Sequence, residues 1–186
     1  MISFNINKKK ISKKSRTYFI ADIAANHDGS LSTAKKLIKL CAKAGADAAK
    51  FQHFKAETIV SDFGFKSLKK LAHQKKWKKS VYDVYKAASI NAKWTEILSK
   101  ECKKNKIDFM TSPYDLSYVD QVYKHVAAYK IGSGDITWYE IIKKISQKNK
   151  PVIIATGASN LKEVKSAFQI IKRYNKKIVI MQCNTN

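Results

Sequence analysis

Tyr18-Phe-Ile-Ala-Asp-Ile-Ala-Ala25 is a near-continuous apolar run of strand length, and Asn26-His-Asp-Gly29 follows it directly. Such runs suit parallel strands buried on both faces. The turn that follows decides between two architectures. A doubly wound dinucleotide-binding sheet needs a G-x-G-x-x-G after an early strand. Asn-His-Asp-Gly is polar loop chemistry of another kind, so that sheet is excluded here.

The same design recurs down the chain. Apolar runs at 46–54, 107–114, 126–131, 151–157 and 177–184 each end in polar residues. Helical periodicity lies between them. Ala34, Leu37, Ile38 and Cys41 form one i, i+3, i+4, i+7 stripe, and Val164, Ala167, Phe168 and Ile171 form another. Ser30 or Ser32 is placed to cap the first of these helices, Gly45 to end it, and Ser159 or Asn160 to cap the second. A single helix is expected over 82–105, and 55–80 reads as a long excursion of the functional kind. Strict β-α alternation argues for an α/β fold with a parallel sheet. Polar residues at every strand's C-terminal end argue for a (β/α)8 TIM barrel, incomplete here at about six β/α units. Residues 1–16 read as an N-terminal hairpin or cap, and 17–186 as the partial TIM-barrel domain.

Bulk properties narrow the function. The chain has 186 residues and is 45% hydrophobic, enough for one domain with a core. No apolar stretch reaches the ~18–20 residues of a membrane span, and the N-terminus lacks a secretory apolar region. Cys41, Cys102 and Cys183 are scattered, which fits a reducing cytoplasm rather than a disulfide framework. The net charge of +23 comes almost wholly from lysine, with arginine only at Arg16 and Arg173. Arginine is the residue favoured for base-edge and phosphate forks. Lysines spread over every helix read as a solvated surface, so neither a nucleic acid nor a membrane is the expected partner.

The strand ends carry the chemistry. They offer Asp22 and Asn26; Lys50, Gln52 and His53; Thr111, Ser112 and Tyr114; Lys130, Ser133 and Asp135; Thr156; Gln182 and Asn184. A lysine within an apolar run needs a partner anion or an exit to solvent. Lys50 and Lys130 occupy matching places on two strands, which favours a shared anion bearing phosphate or carboxylate. Asp22 lies inside an apolar run, which argues against a merely solvated role. Asp135 follows Gly132 and Gly134 and suits proton management or a turn. His27 reads as a loop-holding residue, His73 and His125 as surface, and Cys183 as a small buried residue. Tyr114 and Gln52 suit packing and substrate contact equally. No Ser-His-Asp order, Cys-His pair or zinc spacing stands out.

Taken in order, several stretches carry a resemblance: Ile20-Ala-Asp-Ile-Ala-Ala-Asn-His-Asp-Gly29, Gly45-Ala-Asp-Ala-Ala-Lys-Phe-Gln52, Thr111-Ser-Pro-Tyr114, Tyr129-Lys-Ile-Gly-Ser-Gly-Asp135, Lys150-Pro-Val-Ile-Ile-Ala-Thr-Gly157 and Gln182-Cys-Asn-Thr185. Together they resemble the sialic acid synthase (N-acetylneuraminate synthase) family from near the start of its barrel through the sixth strand. The resemblance implies a cytoplasmic transferase of carbohydrate biosynthesis. It would condense phosphoenolpyruvate with an N-acetylated hexosamine such as N-acetylmannosamine and release phosphate. It implies that Lys50, Ser112, Lys130, Ser133, Asn184 and Thr185 bind phosphoenolpyruvate, and that Gln52, Tyr114 and Asn26 bind the sugar. Asp22 and Asp135 would be the catalytic carboxylates; both stand where better-known members carry glutamate. Ala155 replaces a serine that often precedes Thr-Gly.

The resemblance also implies a divalent metal, Mn2+ or Mg2+, and a homodimer for the full-length enzyme. The family's two metal-ligating histidines lie on its last two strands, past Asn186, and its antifreeze-like domain follows them. These 186 residues alone are therefore expected to be a fragment without turnover. Two other readings stand beside this one. One is a 3-deoxy-octulosonate-phosphate synthase-like condensing barrel, and the other is a non-enzymatic basic fragment that binds anions.

Overall fold

Six of the apolar runs become strands of one parallel sheet, in a computed structural model that describes residues 3–67 and 77–184. Before them, β1 (Phe4–Ile6) and β2 (Lys9–Ile11) pair antiparallel as a hairpin. The sheet then runs β3 (Ile20–Ala24), β4 (Ala48–His53), β5 (Asp108–Pro113), β6 (Tyr129–Ile131), β7 (Val152–Ala155) and β8 (Ile178–Met181). Every strand lies beside its successor in the chain and parallel to it. A doubly wound sheet reverses its strand order at a switch point; this one never does, which is barrel order.

Helices return the chain from each strand to the next. α1 (Leu31–Lys43) starts where the Ser30 hydroxyl accepts the Thr33 N–H, and it ends at Gly45, whose φ is +85°. α2 (Ala56–Ile59), α3 (Asp62–Ser67) and α4 (Val81–Ala88) occupy the long excursion. α5 (Trp94–Lys104), α6 (Leu116–Val122) and α7 (Tyr139–Ser146) follow. α8 (Leu161–Tyr174) opens on a capping box between Asn160 and Glu163.

The expected helix over 82–105 is two helices, α4 and α5. The break lies at 89–93, where Ile90 turns into the core and the Asn91 side chain accepts the Lys93 N–H. A local side-chain turn of this kind competes with the helix. His73 and the middle of the lysine-rich excursion lie outside the described residues.

The pleat sorts each strand's side chains to two faces. Ile23, Phe51, Phe109, Tyr129, Ile131 and Ile154 face outward into the main core under the helices. Ala48, Met110, Ala128 and Ile153 face inward, and Ile6 of the hairpin packs on them, with Phe4 and Ile11 partly buried alongside. The hairpin thus fills the sheet's concave side near the strand starts. Charges secure it. The Asp47 carboxylate, just ahead of β4, accepts from Arg16 Nη1 at 3.0 Å and from the Phe19 N–H at 2.9 Å, and pairs with Lys9 at 3.1 Å. The Asp108 carboxylate accepts from the Tyr18 hydroxyl and from Asn7 Nδ2 at 2.6 Å. Burial raises the carboxyl pKa of Asp47, but Arg16, the Phe19 amide and Lys9 outweigh it and hold the group at about 2. No described helix is long and apolar enough to cross a membrane.

Candidate active site

With the hairpin closing one end, the inward-facing residues at the strand tips form the other. Tyr129 and Ile131 point to the outer core, so Lys130 between them points inward. Lys50 is inward by the same alternation, flanked by Ala49 and Phe51. Asp22 is its register partner on β3, and Lys50 Nζ meets Asp22 Oδ1 at 2.7 Å. Asp22 was expected to be withdrawn from solvent, yet its side chain is 58% exposed. The reason is positional: Asp22 sits on the sheet's first strand, where the interior opens to water.

Lys130 has no carboxylate within 4.0 Å among the described residues. Burial lowers its pKa, and the nearby Lys50 ammonium lowers it further; Cys183, Asp22 and Asp135 push the other way. Two ammonium groups are thus held close in one recess, and only that of Lys50 is bonded to a carboxylate. That charge balance suits an added anion.

Gln52 Nε2 donates to the Tyr114 hydroxyl at 3.4 Å. The Ser112 hydroxyl is buried without a well-formed partner among the described residues, although it lies near enough to the Tyr114 phenol to favour its ionised form. Burial and the Asp135 charge nevertheless push the Tyr114 pKa up to about 12, so it stays a neutral donor. Asp135 closes the group. It ends the 3-10 turn Ser133–Asp135, and its Oδ2 would stand 2.6 Å from a Cβ placed at Gly132. A side chain at position 132 would push the Asp135 carboxylate out of this place. Burial raises the Asp135 carboxyl to about 6, with Lys130 opposing. A carboxyl group that titrates near pH 6 can take or give a proton close to neutral pH.

The structure therefore brings Asp22, Lys50, Gln52, Ser112, Tyr114, Lys130 and Asp135 together. It does not bring all the expected residues there. Asn26 spends its side-chain amide on the Ile23 carbonyl at 3.0 Å, holding its own turn. Ser133 is half-buried on the 3-10 turn, Asn184 is exposed beyond β8, and Thr185 lies outside the described residues. Thr156 bonds the Met181 carbonyl. Cys183 is half-buried rather than buried.

His27 is fully buried and accepts the Gly29 N–H on Nδ1 at 3.1 Å, with Trp94 edge-on to its ring. His53 faces away from the cluster, into the helical layer. Thr111 Oγ1 gives its proton to the Phe51 carbonyl, so His53 Nδ1 donates to Thr111 at 2.7 Å and Nε2 accepts from Thr95 at 2.8 Å. Sequence reasoning missed Thr95 as a partner, and only a helix-to-strand contact reveals it. Burial, with His27 and His125 adding to it, depresses His53 to about 3. Above the usual histidine pKa of ~6.5 the ring is neutral folded or unfolded and contributes nothing to pH dependence. Below it the unfolded chain takes a proton that the folded chain refuses, down to about pH 3. Unfolding free energy should therefore fall by about 2 kcal/mol between pH 7 and 5 from this site. Urea titrations at the two pH values measure it; a flat result would mean that the ring takes up a proton in the folded state.

Among the described residues no three of His, Cys, Asp or Glu stand close enough to hold a metal ion. The divalent metal implied by the resemblance does not fit these residues, and no chemistry is routed through it.

A family model described as the NeuB family matches residues 37–186. The N,N'-diacetyllegionaminic acid synthase of Campylobacter jejuni is 35% identical over 179 residues, covering 91% of this chain and 52% of that protein. Two solved structures share the architecture. The spore coat polysaccharide biosynthesis protein SpsE of Bacillus subtilis superposes with a TM-score of 0.80 at 28% identity, over all of this chain and 49% of that one. The N-acetylneuraminic acid synthetase of Leptospira borgpetersenii gives 0.85 at 22%, over all of this chain and 60% of that one, and at that identity shows the fold alone. The chain spans about half the length of the curated relatives it matches. The sheet is thus of the TIM-barrel kind, with six of its strands present here.

Proposed function

The chain belongs to the NeuB family, and from that premise we propose that it serves a nonulosonic (sialic-type) acid synthase, condensing phosphoenolpyruvate with an N-acetylated hexosamine such as N-acetylmannosamine. One observation carries the reading: two inward-facing lysines, Lys50 on β4 and Lys130 on β6 with β5 between them, lie close enough to repel each other, and only Lys50 is bonded to a carboxylate. Phosphoenolpyruvate is a compact three-carbon polyanion of matching charge.

In this reading Lys130 and Lys50 hold the carboxylate and phosphate of that substrate. The Ser112 hydroxyl, buried without a well-formed partner among the described residues, donates to it. Gln52 and Tyr114, already bonded to each other, present the amide and phenol that orient the sugar. As the enolpyruvate C3 joins the aldehyde carbon, the aldehyde oxygen must gain a proton. Asp135, poised at about 6, is the group to supply it. Asp22 swings from Lys50 when the anion arrives and stands free to accept a proton from the water that adds at C2; the C2–O bond to phosphate then breaks, and inorganic phosphate leaves held by the lysines. Asn26, Ser133, Asn184 and Thr185 belong to the proposal on the resemblance alone.

No group of residues that could hold a metal ion occurs among those described, so binding is the direct readout here. Isothermal titration with phosphoenolpyruvate should give saturable binding, with a Kd below about 1 mM, that weakens in Lys130→Met and as salt rises. Equal or tighter binding of arabinose 5-phosphate, without competition from phosphoenolpyruvate, would favour another condensing barrel. An isotherm with no binding at all would remove the assignment of Lys50 and Lys130.

A further inference from the structure

A cavity of about 580 Å3 lies away from the strand tips. It lies at the other end of the sheet, between the hairpin turn, the end of α5 and the start of β5, and is lined by Lys8, Lys9, Ser99, Lys103, Lys106 and His125 among others. Along β5, Ser112 lies three residues beyond Phe109 of the lining, about 10 Å of strand, and on the opposite face of the sheet.

Its charge is unbalanced. Asp108 is the sole acid in the lining, and both its oxygens are engaged by Tyr18 and Asn7. Lys9 is committed to Asp47. Lys8, Lys103 and Lys106 have no carboxylate within 4.0 Å among the described residues. Lysines at a helix C-terminus often serve only to offset its dipole. Here the terminal carbonyls of α5 are already bonded: Glu101 accepts from the Asn105 backbone and side chain, Cys102 from the Ile107 N–H, and Lys103 from the Lys106 N–H. The ammonium groups are not needed as caps.

Lys106 adds a separate observation. Its φ is +59°, in the left-handed region that penalises every side chain with a Cβ. It occupies the position after the helix at which α1 has Gly45, and the same 6→1 backbone bond closes both ends, Ala46 to Cys41 and Ile107 to Cys102. A lysine stands at the lip of a cation-lined cavity where glycine would relax the backbone.

We propose that this cavity binds a phosphate-bearing small molecule, held by Lys8, Lys103 and Lys106 at its rim with the His125 ring and Ser99 hydroxyl inside. Lysine is a point-charge donor to phosphate, and several converging lysines favour a polyanion over a single carboxylate. The site is independent of the strand-tip cluster.

The probe is inorganic pyrophosphate, added to the 186-residue chain while the His125 ring C–H resonance is followed by NMR. That proton reports this cavity even if the strand tips also take pyrophosphate. The expected result is a saturable shift in the wild type that needs about five-fold more ligand in Lys106→Gly and in Lys103→Gln. Lys106→Gly also relieves the backbone, so its melting temperature should be equal or higher and misfolding cannot explain the loss. Lys162→Gln, on the exposed start of α8, removes the same charge and should titrate like the wild type. A silent His125 resonance would overturn the proposal. So would equal weakening by Lys106→Gly and Lys162→Gln, which would mean diffuse attraction to a +23 surface.

Discussion

Replacing Lys130 by methionine is expected to weaken phosphoenolpyruvate binding roughly 30- to 1000-fold, about 2–4 kcal/mol, while leaving the fold at least as stable. The two halves of that expectation have one cause. Lys130 faces the interior, is partly desolvated and lies beside Lys50, so its positive charge is already disfavoured in the empty recess. Methionine keeps most of the stem's volume and removes the repulsion. An arriving polyanion, however, loses a buried partner. Urea unfolding and calorimetric titration on the same sample separate the two effects. A variant that binds as tightly as wild type would sink the role given to Lys130, and one that unfolds would show that the ammonium is structural.

Asp47→Asn should be the most damaging conservative change to stability, costing about 2–4 kcal/mol. Asp47 is almost fully buried and its carboxylate serves Arg16, Lys9 and the Phe19 N–H together. Asparagine offers one acceptor oxygen and turns a donor toward two cations. The same group sets an acid limit. Its folded pKa of about 2 lies below the unfolded value of 3.8, so its contribution is complete above pH 3.8 and fades as pH falls toward 2. At full strength that is about 2 kcal/mol. Urea midpoints at pH 7, 4 and 2.5 test both statements; Asp47→Asn should show a shallower acid decline than the wild type. Identical acid profiles would assign the decline to other carboxylates.

The strands were legible because each is a short apolar run closed by polar residues, and that pattern is local. The cluster of Lys50, Gln52, Ser112, Tyr114, Lys130 and Asp135 followed from it, since a barrel collects strand tips at one end. The break between α4 and α5 was hidden because Ile90 and Trp94 keep helical spacing across it. The Asp22–Lys50 pair depends on the register of two strands 28 positions apart, which no local pattern encodes. The Asp47 network was harder still, since its partners Lys9 and Arg16 come from a segment 31 or more residues away. One signal existed: Arg16 is one of two arginines in a lysine-rich chain, and arginine suits buried carboxylates better than lysine does. His53 looked like a tip residue from its position, but the pleat turned it outward.

The hairpin that fills the concave side is made before any strand it packs on. Asn7 in its turn meets Asp108 across 101 residues, and Tyr18 behind the hairpin meets it across 90. Loop closure over such distances is slow. During synthesis Phe4, Ile6 and Ile11 lack their full seat until residues as distant as Met110 and Ile153 have been made, so this apolar segment is a natural target for chaperones in the interval.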